Sequence, residues 1–472
     1  MSTSSATNNA TAAATTTRSI AIVGAGLAGS LLACLLAKRG FAVTVYERRP
    51  DPRARGFIGG RSINLALSTR GISALRCAGL ADRVLAEGIP MRGRMMHAVT
   101  GDLTFQAYSK NPNENINAVS RGGLNLTLLD AADAMDNVTL RFALRCTDVD
   151  LETGRATFHD ETIDDPAGAH VEVEADLLIG ADGAFSAVRS ALQRTDRADY
   201  AQSYLEHGYK ELTIPPAANG DFAMNPHALH IWPRGGSMMI ALPNQDKSFT
   251  CTLFWPFVGA HSFAAVHARD AILPFFRREY ADAVPLMPAL VDDFERNPTS
   301  SLVTIRCFPW HACNRVLLLG DAAHAIVPFY GQGMNAAFED CEILDRMIGE
   351  RMTDGTGDWF ALLEDFSRRR KPNADAIADM ALMNFIEMRD HVGSRWFLFK
   401  KKFEKTLHQW FPARFMPLYN MVSFSTIPYA EALRRARQQR RTILGMLTGL
   451  MSAGVVVLFA ILQYVLRSPS SG

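Results

Sequence analysis

The chain has 472 residues, a formal charge of +1 and a hydrophobic fraction of 48%. That length allows two or three domains with ample core, and near-neutral charge without a basic stripe argues against a general nucleic-acid binder. The seven cysteines, Cys34, Cys77, Cys146, Cys251, Cys307, Cys313 and Cys341, form no C-x-x-C pair and no Cys/His cluster, so they imply reduced thiols and neither a disulfide nor a metal.

Residues 1–18 are low in complexity and nearly uncharged. They lack the apolar stretch of a signal peptide and predict a disordered tail. Residues 19–47 predict a strand–turn–helix–strand unit. The apolar run Ile20 to Val23 leads into Gly24, Gly26 and Gly29 in G-x-G-x-x-G spacing, a helical pattern follows to about Lys38, and Phe41 to Tyr46 ends in Glu47. Gly24 permits the turn, Gly26 lets a pyrophosphate approach the backbone, Gly29 lets helix and sheet pack closely, and Glu47 can accept from an adenosine ribose. The helix start offers unpaired N–H groups to phosphate. This unit alone suits NAD and FAD equally.

A Pro/Arg loop follows at 50–55, then a short apolar segment and a helix within 59–80. Arg61, Ser62 and Asn64 read equally as a polar loop touching a cofactor or as a capped helix start. Residues 89–108 predict a hairpin turning at Thr100-Gly101-Asp102. Arg92 and Arg94, two apart on a strand, would share a face and could meet one anion. On this pattern alone a solvated surface arginine is the commoner outcome. A helix is expected within 118–133, strands at 138–150 and 154–160, and a second strand–turn–helix at 173–192, with Asp182-Gly183 at its turn and Arg189 in its helix.

From 200 to 256, short runs rich in Thr, Ile, Phe and Trp predict an antiparallel sheet inserted in the first domain and roofing a pocket. Residues 263–298 read as mainly helical. Arg315 to Leu319 then gives a buried strand ending in Gly320-Asp321, and Gly331-Gln332-Gly333 opens a helix near Met334-Asn335. His324 has no paired acid or nucleophile in the sequence and reads as structural. Residues 371–442 are helical and amphipathic. Residues 443–465 are 23 without a charge, preceded by Arg434 to Arg441 and followed by LRSPSSG. That pattern predicts a tail anchor with the body on the cytosolic side.

The order G-x-G-x-x-G, then D-G, then G-D resembles the single-component FAD-dependent aromatic hydroxylases of p-hydroxybenzoate-hydroxylase-like fold. The runs GRSINLALS (60–68), GIPMRGRM (88–95), LHIWPR (229–234), KSFTCTLF (247–254), LLGDAAHAIVPFYGQGMNAAFEDC (318–341), NFIEMRDHV (384–392) and FMPLYNMVSFS (415–425) resemble, within that class, the kynurenine 3-monooxygenase family. The resemblance implies an α/β fold: a Rossmann-like FAD-binding domain, an inserted antiparallel substrate domain, a C-terminal helical region and a transmembrane helix. The domain plan is tail 1–18; FAD-binding domain 19–85, 112–195 and 300–370; substrate domain 86–111 and 196–299; helical cap 371–442; anchor 443–465.

The resemblance further implies that FAD contacts Gly24, Gly26, Ala28, Gly29, Glu47, Arg48, Arg49, Ala66, Arg121, Cys146, Asp182, Asp321, Met334 and Asn335. Arg94 would hold the α-carboxylate of L-kynurenine, with Tyr108 and Asn384 beside it, Tyr419 closing from the C-terminal helices and the loop Pro328 to Gln332 beside its ring. The implied reaction is hydroxylation to 3-hydroxy-L-kynurenine with NADPH and O2, through a flavin C4a-hydroperoxide, on the route of tryptophan degradation. Flavin carries the chemistry, so no side chain is assigned as general acid or base. Eukaryotic members of this family sit on the mitochondrial outer membrane; in a bacterium the corresponding site is the cytoplasmic membrane. The alternative is a flavin hydroxylase of another aromatic or quinone-like substrate. A redox-controlled interaction module is a third reading, against which the complete pocket motifs argue.

Overall fold

The computed structural model describes residues 18–54, 64–111, 113–163, 165, 169–352, 356–388, 415–443, 445 and 454–455. Among these, the strands form four sheets. The first is six-stranded, in the order His311–Ala312, Val316–Leu318, Leu177–Gly180, Ser19–Val23, Ala42–Tyr46, Val138–Arg141. It is parallel except at the His311–Ala312 edge. Its strands are near-continuous apolar runs because helices cover both faces. Leu177, Leu178, Ile179, Val316, Leu317 and Leu318 are all buried, as is most of the helix Leu27–Lys38. The chain runs outward from Ser19–Val23 on one side, then returns on the other. Such a switch in strand order opens a crevice at the carboxyl ends of the strands.

The second sheet is seven-stranded: Ser300–Phe308, Asp199–Ile214, Phe249–Pro256, Met238–Pro243, Ala228–Pro233, Gly93–His97, Leu103–Ala107. Period-two alternation gives it two different faces. Trp232, Phe249 and Trp255 pack outward on Phe276, Tyr280 and Phe294 of the covering helical segment. Met96, Ile231, Met238 and Phe254 pack inward on Val327, Phe329 and Phe385. A three-stranded sheet, Asn64–Leu67, Ile116–Ser120, Ile89–Met91, stands between the two large ones. The fourth joins Leu144–Val149, Ala156–Asp160 and His170–Val173.

Several expectations are corrected. Arg18, read as tail, packs its guanidinium 4.5 Å from the Trp359 ring centroid. Residues 1–17 lie outside the described residues. Ser300–Phe308 belongs to the seven-stranded sheet, paired with Asp199–Ile214, and not to the FAD-binding half. Ile89–Met91 pairs with Ile116–Ser120, so the expected hairpin starts only at Gly93. The boundary at 370/371 falls inside one helix, Trp359–Ile386, which carries Pro372 without ending. Among the described residues no helix is long and apolar enough to cross a membrane. The expected span 443–465 lies outside them apart from 443, 445, 454 and 455.

Candidate active site

Parallel register brings three motifs to one edge. Val23 is level with Tyr46 and Gly180, and Gly180 with Leu318. The next residues, Gly24, Glu47, Asp182 and Asp321, therefore emerge together. Gly24 has φ +105°, and a Cβ there would lie 2.6 Å from the carbonyl oxygen of Ala181. At Gly29 a Cβ would lie 2.0 Å from the carbonyl oxygen of Gly24, so only glycine lets helix meet strand. At Gly26 it would meet nothing within 4 Å. That is open space over a helix start with no side-chain cap and no acidic residue in its first turn. Gly320, at φ +61°, packs toward Ala28 and Ala337, which joins the first motif to the last.

Glu47 accepts from Ala25 N–H and Arg49 N–H, both at 3.0 Å, so its carboxylate is fixed across the glycine turn. Arg48 and Arg49 are exposed beside it. Asp182 accepts from Ala187 N–H at 2.7 Å through Oδ2, while its buried Oδ1 has no partner. Burial pushes its pKa up against the opposing hydrogen bonds from Ser186 and Ala187. Asp321 is surrounded by protein, which raises its pKa, with His324 and Arg121 opposing. Its side chain nonetheless keeps accessible surface, the signature of a cavity wall. Arg121 is the exposed first residue of the helix Arg121–Asp133. Cys146 is buried beside Asp182, and burial pushes its thiol up to about 12. An orphaned carboxylate oxygen, an open glycine turn and two uncapped helix starts fit a dinucleotide with a polar chain. The second of those starts is the helix Gly333–Arg351, where Met334 lies in the first turn.

The side chains of Asn335 and Asn64 are engaged by protein groups. The Asn335 side chain is wholly buried; it donates to Ala66 O (2.8 Å) and Gly331 O (2.9 Å) and accepts from Ser68 N–H (2.9 Å). It holds Ala66 and the loop 328–332 in place and leaves only its backbone for a ligand. Asn64 is buried and donates to Pro243 O and Asn244 Oδ1, so it fastens sheet to sheet. Arg61 and Ser62 lie outside the described residues.

Arg94 lies in Gly93–His97 on the inner face of the seven-stranded sheet. Its guanidinium is 5.0 Å from the Tyr419 ring centroid and 5.8 Å from that of Tyr108. These two rings stack at 5.0 Å, and Tyr330 stacks on Tyr419 at 5.8 Å. Arg94 Nε and the Tyr108 hydroxyl are buried without hydrogen-bond partners. Arg92, expected on the same face, is an exposed link between two sheets. Asn384 Nδ2 donates to Phe329 O at 2.6 Å and reaches Met388 Sδ at 3.2 Å; it steadies the loop. Phe329 stacks on Phe385 at 4.0 Å and meets Phe254 edge-on at 4.9 Å, a buried apolar cluster beside the loop.

Residues 17–381 match the family described as FAD binding domain. A kynurenine 3-monooxygenase of Myxococcus xanthus is 51% identical over 88% of this chain and 87% of the relative. The chain belongs to the kynurenine 3-monooxygenase family. Members from Dictyostelium discoideum (49% identity, 88% of this chain and 89% of the relative) and Sus scrofa (46%, 90% and 88%) align over similar spans. Among solved structures, 2-methyl-3-hydroxypyridine-5-carboxylic acid oxygenase in its tetrameric form has a TM-score of 0.63 at 20% identity, covering 80% of this chain and 94% of that one. PqsL of P. aeruginosa in complex with 2-aminobenzoylacetate has the same score and identity, covering 79% and 97%. At that identity these two establish the fold.

Within this kynurenine 3-monooxygenase family member, sequence reasoning missed the residues that bind motif to motif. Arg189 donates to Ala184 O (2.6 Å) and Ala322 O (2.9 Å), tying the D-G turn to the G-D turn. His324 does have a partner, Asp340 Oδ2 at 2.5 Å, which also accepts from Gly320 N–H. Burial pushes Asp340 up, but His324 and Arg370 hold it below the ordinary carboxylate value. An acid sixteen positions beyond a histidine carries no local signal, because the fold alone brings them together.

Proposed function

We propose that this chain converts L-kynurenine, NADPH, a proton and O2 into 3-hydroxy-L-kynurenine, NADP+ and water. Bound FAD supplies the redox chemistry, taking reducing equivalents from NADPH and activating O2. The observation that carries the substrate reading is Arg94: a cation whose Nε is buried without a hydrogen-bond partner, flanked by Tyr108 and Tyr419. Such a group suits a carboxylate, because a planar fork donates two parallel bonds. Tyr108 offers a second buried hydroxyl. The kynurenine ring is assigned to the aromatic slot by loop 328–332, where Asn384 fixes Phe329. Phe254, Phe329 and Phe385 exclude water there. The ring amine already activates the ring, so these residues need only bind, orient and keep the slot dry.

We also propose that residues 443–465 anchor the chain in a membrane with the body on the cytosolic side. Their lack of charge and the preceding arginines support this. The assay for the reaction is NADPH consumption with and without L-kynurenine, following product mass and H2O2 together. The expected result is strong stimulation and a product one oxygen heavier. Stimulation yielding only peroxide would mean that kynurenine is an effector and another ring is the substrate.

A further inference from the structure

Arg70 is fully buried in the helix Thr69–Ala78. A buried cation survives only where its charge and donors are met. Its guanidinium pairs with Glu339 and donates to Val422 O (3.3 Å) and Ile427 O. One face lies 4.0 Å from the Tyr429 ring centroid. Val422 belongs to the helix Leu418–Ser423, which carries Tyr419. The Tyr429 hydroxyl donates to Gln332 Oε1 at 2.9 Å, at the end of the loop 328–332. One guanidinium thus grips the element bearing Tyr419 and, through Tyr429, the loop facing it.

The same network reaches the cofactor side. Glu339 also binds Arg370 (2.7 Å), Arg370 binds Asp340 (2.6 Å), and Asp340 holds Gly320 N–H and His324. Two arginines balance two carboxylates. Lysine could not replace Arg70, because serving an acid and two carbonyls while presenting a flat face to a ring requires the guanidinium plane.

We propose that Arg70 is a positioning residue for the hydroxylation. It sets the spacing between Tyr419 and the loop 328–332 and ties that spacing to the Gly320-Asp321 turn. This rests on the reaction proposed above. None of Arg70's own hydrogen bonds goes to the turns of the three FAD motifs or to Arg94, so its loss acts on substrate fit and not on cofactor loading.

The test uses FAD-loaded full-length chain as wild type, Arg70→Lys and Tyr429→Phe. The readouts are KM for L-kynurenine, kcat, the fraction of NADPH oxidation ending as H2O2, FAD per protein, and amide hydrogen exchange across 418–433. For Arg70→Lys, KM rises about tenfold and exchange in 418–433 quickens by a similar factor, with FAD per protein unchanged. Its peroxide fraction rises several-fold. Tyr429→Phe raises the peroxide fraction with KM moved by less than about threefold, since only the Gln332 contact is lost. FAD-loaded Arg70→Lys with wild-type KM, peroxide fraction and exchange overturns the proposal. If Arg70→Lys does not fold, an unchanged peroxide fraction in Tyr429→Phe overturns it. A wild type that ignores kynurenine would unseat the reaction instead, and the exchange comparison would then decide on Arg70 alone.

Discussion

Replacing Arg94 with alanine tests the substrate reading most directly. The guanidinium is held between Tyr108 and Tyr419, and its Nε is buried without a partner. Its desolvation cost is therefore already met in the free protein, and a carboxylate gains nearly the full value of the fork. Two charge-assisted bonds at about 1.5–3 kcal/mol each set the upper range. Water entering the space left by the side chain recovers part of that. A net loss of about 3 kcal/mol remains, which is more than a hundredfold in affinity. Arg94 lies in the seven-stranded sheet, while the glycine turns emerge from the parallel one, so FAD content stays at the wild-type level. Steady-state KM for L-kynurenine, beside the flavin absorbance of the same preparation, reads both quantities. An FAD-loaded Arg94→Ala protein with KM within about threefold of wild type would refute the assignment of Arg94 to the carboxylate.

Gly29→Ala and Gly26→Ala should separate packing from cofactor approach. The first forces a Cβ to 2.0 Å from Gly24 O and lowers both melting temperature and FAD content; the second meets no protein atom. Gly26→Ala therefore keeps the apoprotein melt while FAD affinity falls at least about tenfold, measurable by flavin fluorescence. His230 is held neutral in the fold: burial pushes its pKa from 6.5 to about 4. Between those values the unfolded chain binds a proton that the folded chain does not, so stability is complete above pH 6.5 and falls as pH drops. The loss is about 2 kcal/mol at pH 5; urea melts of His230→Gln should show a pH dependence smaller by that amount. Removing residues from 442 onward should leave an FAD-loaded, active protein in the supernatant after membranes are pelleted, and unfolding of that protein would defeat the anchor proposal.

The glycine spacing and the D-G and G-D turns were legible because each is a local demand of backbone or chemistry. What failed was partnership across the chain. Arg70 reads as a polar residue in an amphipathic helix, yet its acid is 269 positions away and one of its carbonyls 357. Asn64 and Asn335 look available for a ligand, and only the packed structure reveals that protein groups occupy them. Ser300–Phe308 could not be assigned to a sheet by its own pattern, since an apolar strand fits either side of the crevice. Arg92 shows the limit of a periodicity argument: the chain changes sheets at that residue, and the alternation is broken there.

That crossing has a mechanical consequence. Met91 is laddered to Ile116 in the small sheet, and Gly93 to Ala228 and Ala107 in the large one, so a single residue separates two fixed ladders. The strand Asn64–Leu67 is pinned on one side to Pro243 O and on the other to Asn335. Among the described residues the small sheet is thus joined to its neighbours by a backbone link and by side-chain bonds on both sides. The 415–433 segment is joined to this frame by side chains instead, through the bonds of Arg70 to Val422 O and Ile427 O.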